Sequence, residues 1–263
     1  MNNVLSFAKK KQAQEKISMV TCYDHWSAKI LNETDVDCIL VGDSVAVVMH
    51  GYESTVHATV DMMKLHVSAV ARGAPDKFVI ADMPFLTCSK GLTAAMEAVH
   101  ELMAAGASAV KIEGADHQVD IIRHIVEAGV PVMGHLGLTP QSIHNLGGHK
   151  VQAKGDEDIR QLMAGAQKLQ EAGCFSVVLE CVPGKVGDCV SRSLNVPTIG
   201  IGAGPRTDGQ VLVLQDLLGV DPDFNPKFLR KYANTHDVLK EAVSHFHEDV
   251  VGEAFPAAAE SYR

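Results

Sequence analysis

Residues 109–137 read AVKIEGADHQVDIIRHIVEAGVPVMGHLG, and this stretch contains the repeating unit from which the fold follows. Two short segments rich in apolar and β-branched residues, Ala109–Gly114 and Val130–Gly137, are typical of buried strands. Between them, Asp116–Ala128 carries apolar residues at helical spacing, and Gly129 follows it directly. A strand, a helix and a second strand in this order predict a βαβ unit, in which the two strands are parallel.

The same unit recurs along nearly the whole chain. Three of the helical patterns end at an Ala-Gly pair, which predicts a left-handed glycine at Gly106, Gly129 and Gly173. Because the strand segments show no regular polar face, we expect them to pair in parallel and to be covered on both faces. The predicted strands are Ile17–Tyr23, Cys38–Ser44, Phe78–Pro84, Ala109–Gly114, Val130–Gly137, Phe175–Val182, Val196–Ala203 and Val211–Gln215.

The length and the strand count together favour one architecture. The chain has 263 residues, and parallel α/β barrels often reach about 250 residues as a single domain. An open doubly wound sheet is the alternative. Eight strand–helix repeats favour a single (βα)8 TIM barrel domain over residues 1–263, with an N-terminal helix and closing helices at Phe228–Tyr232 and Asp237–Val250.

Composition and charge exclude several classes of partner. The chain has 23 Lys and Arg against 32 Asp and Glu, a net charge of −9, which argues against binding to nucleic acid or to an anionic membrane. The basic cluster Lys9–Lys11 is predicted to be a solvated N-terminal turn. Apolar runs are shorter than the ~20 residues of a membrane helix. Six cysteines without zinc-site spacing, and no signal peptide, predict a cytoplasmic protein.

Polar residues recur where the predicted strands end, which is where the active sites of barrels lie. Four carboxylates at one mouth predict either raised pKa values or a cation among them, because like charges at short distance cannot all stay ionised alone. An all-oxygen set favours Mg²⁺ and then Mn²⁺. The alternative is that each acid is neutralised by its own Arg or caps the helix that follows. The candidate residues are Asp43, Ser44, Asp82, Lys111, Glu113, His135 and Glu180.

Two residues of the fourth strand are expected to act together. Lys111 and Glu113 are two positions apart, so their side chains face the same way. Lys111 could serve as a Schiff-base nucleophile or as a fixed cation for a substrate carboxylate. A neighbouring carboxylate and a metal would keep its ammonium protonated, which favours the second role. His135, at the end of the fifth strand, is a candidate substrate contact.

Six segments, taken together and in order, resemble the ketopantoate hydroxymethyltransferase family. The likeness extends from about residue 5 to about residue 250. The segments are Val41-Gly42-Asp43-Ser44, Ala81-Asp82-Met83-Pro84-Phe85, Val110-Lys111-Ile112-Glu113-Gly114, Gly134-His135-Leu136-Gly137-Leu138-Thr139-Pro140-Gln141, Leu179-Glu180-Cys181-Val182-Pro183 and Ile199-Gly200-Ile201-Gly202-Ala203-Gly204.

The resemblance implies a Mg²⁺-dependent barrel of the phosphoenolpyruvate/pyruvate-like superfamily, built as a homo-oligomer that is typically a decamer. It implies hydroxymethyl transfer from 5,10-methylenetetrahydrofolate to 3-methyl-2-oxobutanoate through a stabilised enolate, at the first step of pantothenate and coenzyme A synthesis. Alternatives are a Mg²⁺-dependent C–C lyase or mutase acting on a small 2-oxo acid, a Schiff-base aldolase, and a metal-binding scaffold without activity.

The resemblance also assigns roles to individual residues of this sequence. The family's metal positions match Asp43, Asp82 and Glu113. Its ketoacid contacts match Asp43, Ser44, Asp82 and Lys111, and its proton acceptor matches Glu180.

Overall fold

Eight parallel strands close into a barrel in sequence order, which confirms the predicted fold class. The computed structural model describes residues 3–143, 147–148 and 150–262. The strands are β1 Ile17–Thr21, β2 Cys38–Val41, β3 Phe78–Asp82, β4 Ala109–Glu113, β5 Val132–Gly137, β6 Ser176–Glu180, β7 Thr198–Ile201 and β8 Gly209–Leu212.

The chain divides into two compact units, residues 1–212 and 213–263, and the whole barrel lies in the first. Helices of that unit are α1 Val4–Gln12, α2 His25–Asn32, α3 Val45–Val48, α4 Val60–Gly73, α5 Leu92–Ala104, α6 Val119–Glu127, α7 Asp156–Glu171 and α8 Gly184–Ser193. The predicted helix ends are confirmed, since Gly106, Gly129 and Gly173 all have positive φ. The prediction of one domain over residues 1–263 stays a prediction.

Apolar side chains of the strands fill the barrel interior, and α1 contributes to the same core. Phe7 of α1 is fully buried and packs edge-to-face against Phe78 and Phe175, with ring centroids 5.5 and 4.9 Å apart. These two aromatic residues lie at the start of β3 and just before β6. The helix therefore covers the N-terminal end of the barrel and leaves the opposite end for polar residues.

The predicted solvated turn at Lys9–Lys11 is wrong. Lys10 forms an ion pair with Asp37, and Lys11 Nζ lies 2.8 Å from Asp208 Oδ2. The two aspartates precede β2 and β8. Because α1 lies across this end of the barrel, its basic residues pair with acids at the strand entrances instead of facing solvent.

The last strand begins earlier than the predicted Val211–Gln215. Pairing with β1 starts at Gly209, which is opposite Ile17, and continues to Leu212. The following residues leave the sheet, and the first helix of the second unit is α9, Leu214–Leu218.

The second unit also contains α10, Thr235–Val251, which confirms the helix predicted at Asp237–Val250. The helix predicted at Phe228–Tyr232 is not formed. The backbone N–H of Tyr232 donates instead to the carbonyl of Leu217, at the end of α9. No helix in the described part of either unit is long and apolar enough to cross a bilayer.

Candidate active site

The candidate residues converge at the C-terminal ends of five neighbouring strands. Asp82 and Glu180 are the last residues of β3 and β6, and Asp43 lies two positions after the end of β2. The remaining candidates are Ser44 after β2, Lys111 and Glu113 in β4, and His135 in β5.

The register of the barrel explains which of these side chains meet. Asp82 is paired with Lys111 across β3 and β4, and Glu113 is paired with His135 across β4 and β5. Side chains at paired positions of parallel strands point the same way and lie close together. Accordingly, Lys111 Nζ is 3.0 Å from Asp82 Oδ1 and 3.7 Å from Glu113 Oε1. All four side chains are buried.

The imidazole of His135 extends this set of contacts to Glu180. Its Nδ1 lies 3.1 Å from Glu113 Oε1 and also 3.1 Å from Lys111 Nζ. Its Nε2 faces Glu180 Oε2 at 3.3 Å. We call the continuous set Asp82, Lys111, Glu113, His135 and Glu180 the polar row. Glu180 is its most accessible member, with 18% of its side chain exposed.

Asp43 joins the row through its backbone. Its N–H donates to Asp82 Oδ2 at 3.0 Å, so the two carboxylates are neighbours. The side-chain Nε2 of Gln141 donates to Asp43 Oδ2 at 2.8 Å, and the backbone N–H of the same glutamine donates to Glu113 Oε2 at 3.1 Å. Gln141 lies in the 3₁₀ turn Pro140–Ser142 after β5.

Sequence reasoning assigned no role to Gln141, although the residue closes one of the six family-like segments. A polar side chain in the first turn after a strand end was the available signal, and the loop conformation that aims it at Asp43 has no periodic pattern.

Ser44 lies at the edge of the row. Its hydroxyl is 2.8 Å from the hydroxyl of Tyr23, a buried residue that follows β1. A Cβ added to Gly42 would lie 2.8 Å from Ser44 Oγ and 3.5 Å from Asp82 Oδ2, so the serine hydroxyl and the aspartate flank the same glycine. Ser44 is therefore placed at the mouth beside the acids.

Two cationic groups sit among the acids. Burial lowers the pKa of Lys111, but the carboxylates of Asp82 and Glu113 raise it further, and the net pKa lies above the usual value for lysine. Burial and Lys111 lower the pKa of His135, yet Glu113 and Glu180 bring it to about 9. In both cases the neighbouring carboxylates favour the charged form of the group.

The acids respond to these cations unequally. Burial raises the pKa of Glu113, but His135 and Lys111 more than offset this effect, and the net pKa is lowered. Burial together with the charges of Asp82 and Glu113 holds the pKa of Asp43 well above its usual range. Burial also raises the pKa of Asp82 more than Lys111 lowers it. Lys111 therefore offsets only part of the cost of burying the Asp43 and Asp82 carboxylates side by side.

The structure argues against separate neutralisation of each acid. The three acids of the row have Lys111 and His135 as their ion-pair partners, and no arginine in the described ranges pairs with Asp43, Asp82 or Glu180. The four carboxylates therefore belong to one cluster with Lys111 and His135.

The Asp43–Asp82 pair offers the type of oxygen donor that magnesium prefers. No three acidic, histidine or cysteine side chains among the described residues are arranged as a complete metal site. Mg²⁺, however, is commonly held by one or two carboxylates together with water and substrate oxygens. Asp82 Oδ1 is buried and accepts no hydrogen bond from described residues, although the ammonium of Lys111 lies 3.0 Å away. The role of Glu113 as a third ligand stays a prediction.

Comparisons with known proteins agree on one family. The family profile described as "Ketopantoate hydroxymethyltransferase" matches residues 2–258. A 3-methyl-2-oxobutanoate hydroxymethyltransferase of Coxiella burnetii (strain RSA 493 / Nine Mile phase I) is 54% identical over 255 residues, covering 97% of this chain and 96% of that protein. One of the same name from Bdellovibrio bacteriovorus is 52% identical over the full length of both chains.

Solved structures with similar folds are more distant in sequence. A phosphonopyruvate hydrolase crystallised with oxalate and Mg²⁺ superposes with a TM-score of 0.65 at 12% identity, covering 99% of this chain and 93% of that chain. A 2,3-dimethylmalate lyase, a member of the PEP mutase/isocitrate lyase superfamily, gives 0.61 at 15% identity, covering 100% and 92%. At these identities the likeness concerns the fold alone.

Proposed function

This chain belongs to the ketopantoate hydroxymethyltransferase family, and on that premise we propose that it transfers a hydroxymethyl group from 5,10-methylenetetrahydrofolate to 3-methyl-2-oxobutanoate. The products are 2-dehydropantoate and tetrahydrofolate, at the entry to pantothenate synthesis. The observation that supports this reaction best is the polar row beside Asp43, because it joins a carboxylate pair, a buried cation and an accessible base in one mouth.

Asp43 and Asp82 would hold Mg²⁺, with Glu113 near them. When bound, the ion supplies Lewis-acid polarisation of the keto oxygen, which acidifies the adjacent carbon. The chain's own part is to present two neighbouring carboxylates at the mouth, fixed by the N–H of Asp43 and by Gln141.

Lys111 serves the reaction as a fixed cation. Its buried ammonium is held between Asp82 and Glu113, which raise its pKa. A Schiff-base lysine needs a free neutral amine, and this environment opposes it. The ammonium instead binds the carboxylate of the 2-oxo acid, with the hydroxyl of Ser44 as a second contact, held by Tyr23.

Glu180 acts as the base. It is the most accessible carboxylate of the row, and the buried imidazole of His135 faces it with Nε2 at 3.3 Å. Glu180 removes the proton from C3 of the substrate, and the resulting enolate carbon attacks the methylene carbon of the folate. This attack breaks the bond from the methylene carbon to one folate nitrogen, which takes up the proton removed from C3. Water then displaces the second folate nitrogen, leaving its hydroxyl on the methylene carbon and its other proton on that nitrogen, and tetrahydrofolate is released.

Exchange of the C3 proton of 3-methyl-2-oxobutanoate into D₂O, followed by NMR without folate, tests this function. We expect exchange that EDTA abolishes and Mg²⁺ restores. EDTA-insensitive exchange with borohydride trapping would instead identify a Schiff-base aldolase. Mg²⁺ binding without exchange would identify a scaffold, and cleavage of a 2-oxo acid would identify a lyase.

The chain is also proposed to form a homo-oligomer, as the family resemblance implies with a decamer. Helix α10 has no buried residue, and its large apolar side chains are exposed, which supports a partner surface on this helix. Sedimentation velocity at micromolar concentration tests the assembly, and a monomer would contradict it. The exposed apolar residues are Val238, Leu239, Val243, Phe246, Val250 and Val251.

A further inference from the structure

Gln141 makes three hydrogen bonds to groups on three different strand ends. Its Nε2 donates to Asp43 Oδ2 at 2.8 Å and to the carbonyl of Met83 at 2.9 Å, and its backbone N–H donates to Glu113 Oε2 at 3.1 Å. Asp43 follows β2, Met83 follows β3 and Glu113 is the last residue of β4. Gln141 itself lies in the turn after β5. One residue thus ties the carboxylates of Asp43 and Glu113 to a common point.

The orientation of the amide is determined by its partners. Both Asp43 Oδ2 and the Met83 carbonyl are acceptors, so the atom between them must be the NH₂ group, and both of its protons are used. The side chain therefore cannot turn over without losing two hydrogen bonds at once.

The two carboxylates that fit a cation are restrained in the same manner. Asp82 has its Oδ2 fixed by the N–H of Asp43, and Asp43 has its Oδ2 fixed by Gln141. Oδ1 of Asp82 lies 3.0 Å from the ammonium of Lys111, whereas Oδ1 of Asp43 receives no side-chain hydrogen bond from the described residues. An uncharged donor thus holds one oxygen of each carboxylate, and the second oxygen of Asp43 is left for a ligand.

We propose that Gln141 is a positioning residue for the divalent cation, one that sets the orientation of the Asp43 carboxylate through its side-chain amide. This inference rests on the proposed function, since it concerns the same metal. Groups that orient metal ligands from behind typically change metal affinity by 10–100-fold when they are removed. Among the described residues no hydrogen bond joins Gln141 to the base Glu180, so we expect its effect to fall on the metal and not on proton removal.

The variant Gln141→Met tests the proposal, because methionine has a similar volume and no donor. The hydrogen bond from the backbone N–H of residue 141 to Glu113 is retained in this variant. The control is Gln167→Met on α7, which removes an amide–carboxylate hydrogen bond of 2.9 Å to Glu171 on an exposed helix face. Mn²⁺ is titrated into the full-length proteins and followed by EPR, and thermal unfolding is recorded for each.

We expect Gln141→Met to raise the Mn²⁺ dissociation constant at least 10-fold, while Gln167→Met stays within twofold of the unchanged protein. The Mg²⁺ concentration for half-maximal C3 exchange should rise in parallel, and excess Mg²⁺ should restore the rate. A dissociation constant for Gln141→Met within twofold of the unchanged protein would overturn this inference alone. An unchanged protein that binds no divalent cation would overturn the proposed function and this inference together.

Discussion

The Nε2 atom of His135 lies 3.3 Å from Oε2 of Glu180, and this contact joins a fully enclosed imidazole to the accessible end of the polar row. Through Nδ1 the same ring contacts Glu113 and Lys111. His135 therefore connects the cation that would bind the substrate carboxylate to the carboxylate that would remove the substrate proton. One imidazole ring therefore occupies the space between Lys111 and Glu180.

Replacing Glu180 by Gln should abolish deuterium exchange at C3 without folate. Glutamine keeps the size of the side chain and cannot accept the proton. Because the contacts of Asp43, Asp82 and Lys111 are untouched, binding of 3-methyl-2-oxobutanoate should stay within a few-fold of the unchanged protein. NMR measures the exchange and calorimetry the binding. Full exchange in Glu180→Gln would show that another group is the base.

Replacing Asp82 by Ala should lower Mg²⁺-dependent activity more than tenfold, which corresponds to at least about 1.4 kcal/mol of transition-state stabilisation. The variant removes one member of the carboxylate pair and the closest ion-pair partner of Lys111. Activity is measured over a range of Mg²⁺ concentrations. Asp120→Ala, at an exposed position of α6, is the control and should remain active. Unchanged activity of Asp82→Ala at ordinary Mg²⁺ would contradict the ligand assignment.

Much of this site follows from the sequence, because strand ends are visible in it. The alternation of strand and helix patterns predicts the barrel, and the barrel brings Asp82, Lys111 and Glu180 to one mouth. The sequence does not specify the contact between Asp82 and Lys111, because strands that are apolar on both faces leave their register undetermined. The role of Gln141 is not predicted for a different reason, because the conformation of a loop leaves no periodic pattern in the sequence.

The same limit explains the errors outside the site. Lys11 looks like a solvated residue when only its neighbours in sequence are considered, and its partner Asp208 is 197 positions away. The segment Phe228–Tyr232 has apolar residues at helical spacing, but its backbone is used in contacts with the end of α9. Long-range packing decided the structure in both cases.

The stability of the metal-free protein should depend on His135 in a defined pH range. The folded pKa of about 9 lies above the unfolded value of about 6.5. The stabilisation is therefore fully present below pH 6.5 and is lost as the pH rises through 9, with a total of about 3 kcal/mol. The unfolding free energy of the unchanged protein, measured in EDTA with urea, should fall relative to that of His135→Gln between pH 6.5 and 9.

The control for this pH series is His245→Gln, since His245 lies exposed on α10. This variant should follow the unchanged protein at every pH. A constant difference between the unchanged protein and His135→Gln from pH 6 to 10 would show that the imidazole does not carry its charge in the folded state.

We expect Gly137 to be needed for activity, because the backbone carbonyl of Glu180 on the adjacent strand lies close to it. Gly137 has φ +92°, and a Cβ at this position would come within 2.2 Å of the carbonyl oxygen of Glu180. Gly129 has φ +94° with no atom of the described chain within 4 Å of such a Cβ. Both Gly→Ala variants incur the strain of a left-handed alanine, roughly 1–2 kcal/mol. Only Gly137→Ala must also displace the backbone that carries the base.

We therefore expect both variants to lower the melting temperature, with a larger decrease for Gly137→Ala. The C3 exchange rate, measured well below both melting temperatures, should fall at least tenfold in Gly137→Ala and stay within twofold in Gly129→Ala. Equal exchange rates in the two variants would mean that the base tolerates movement of its own backbone. The position of Glu180 at the end of the polar row would then not control the rate of C3 exchange.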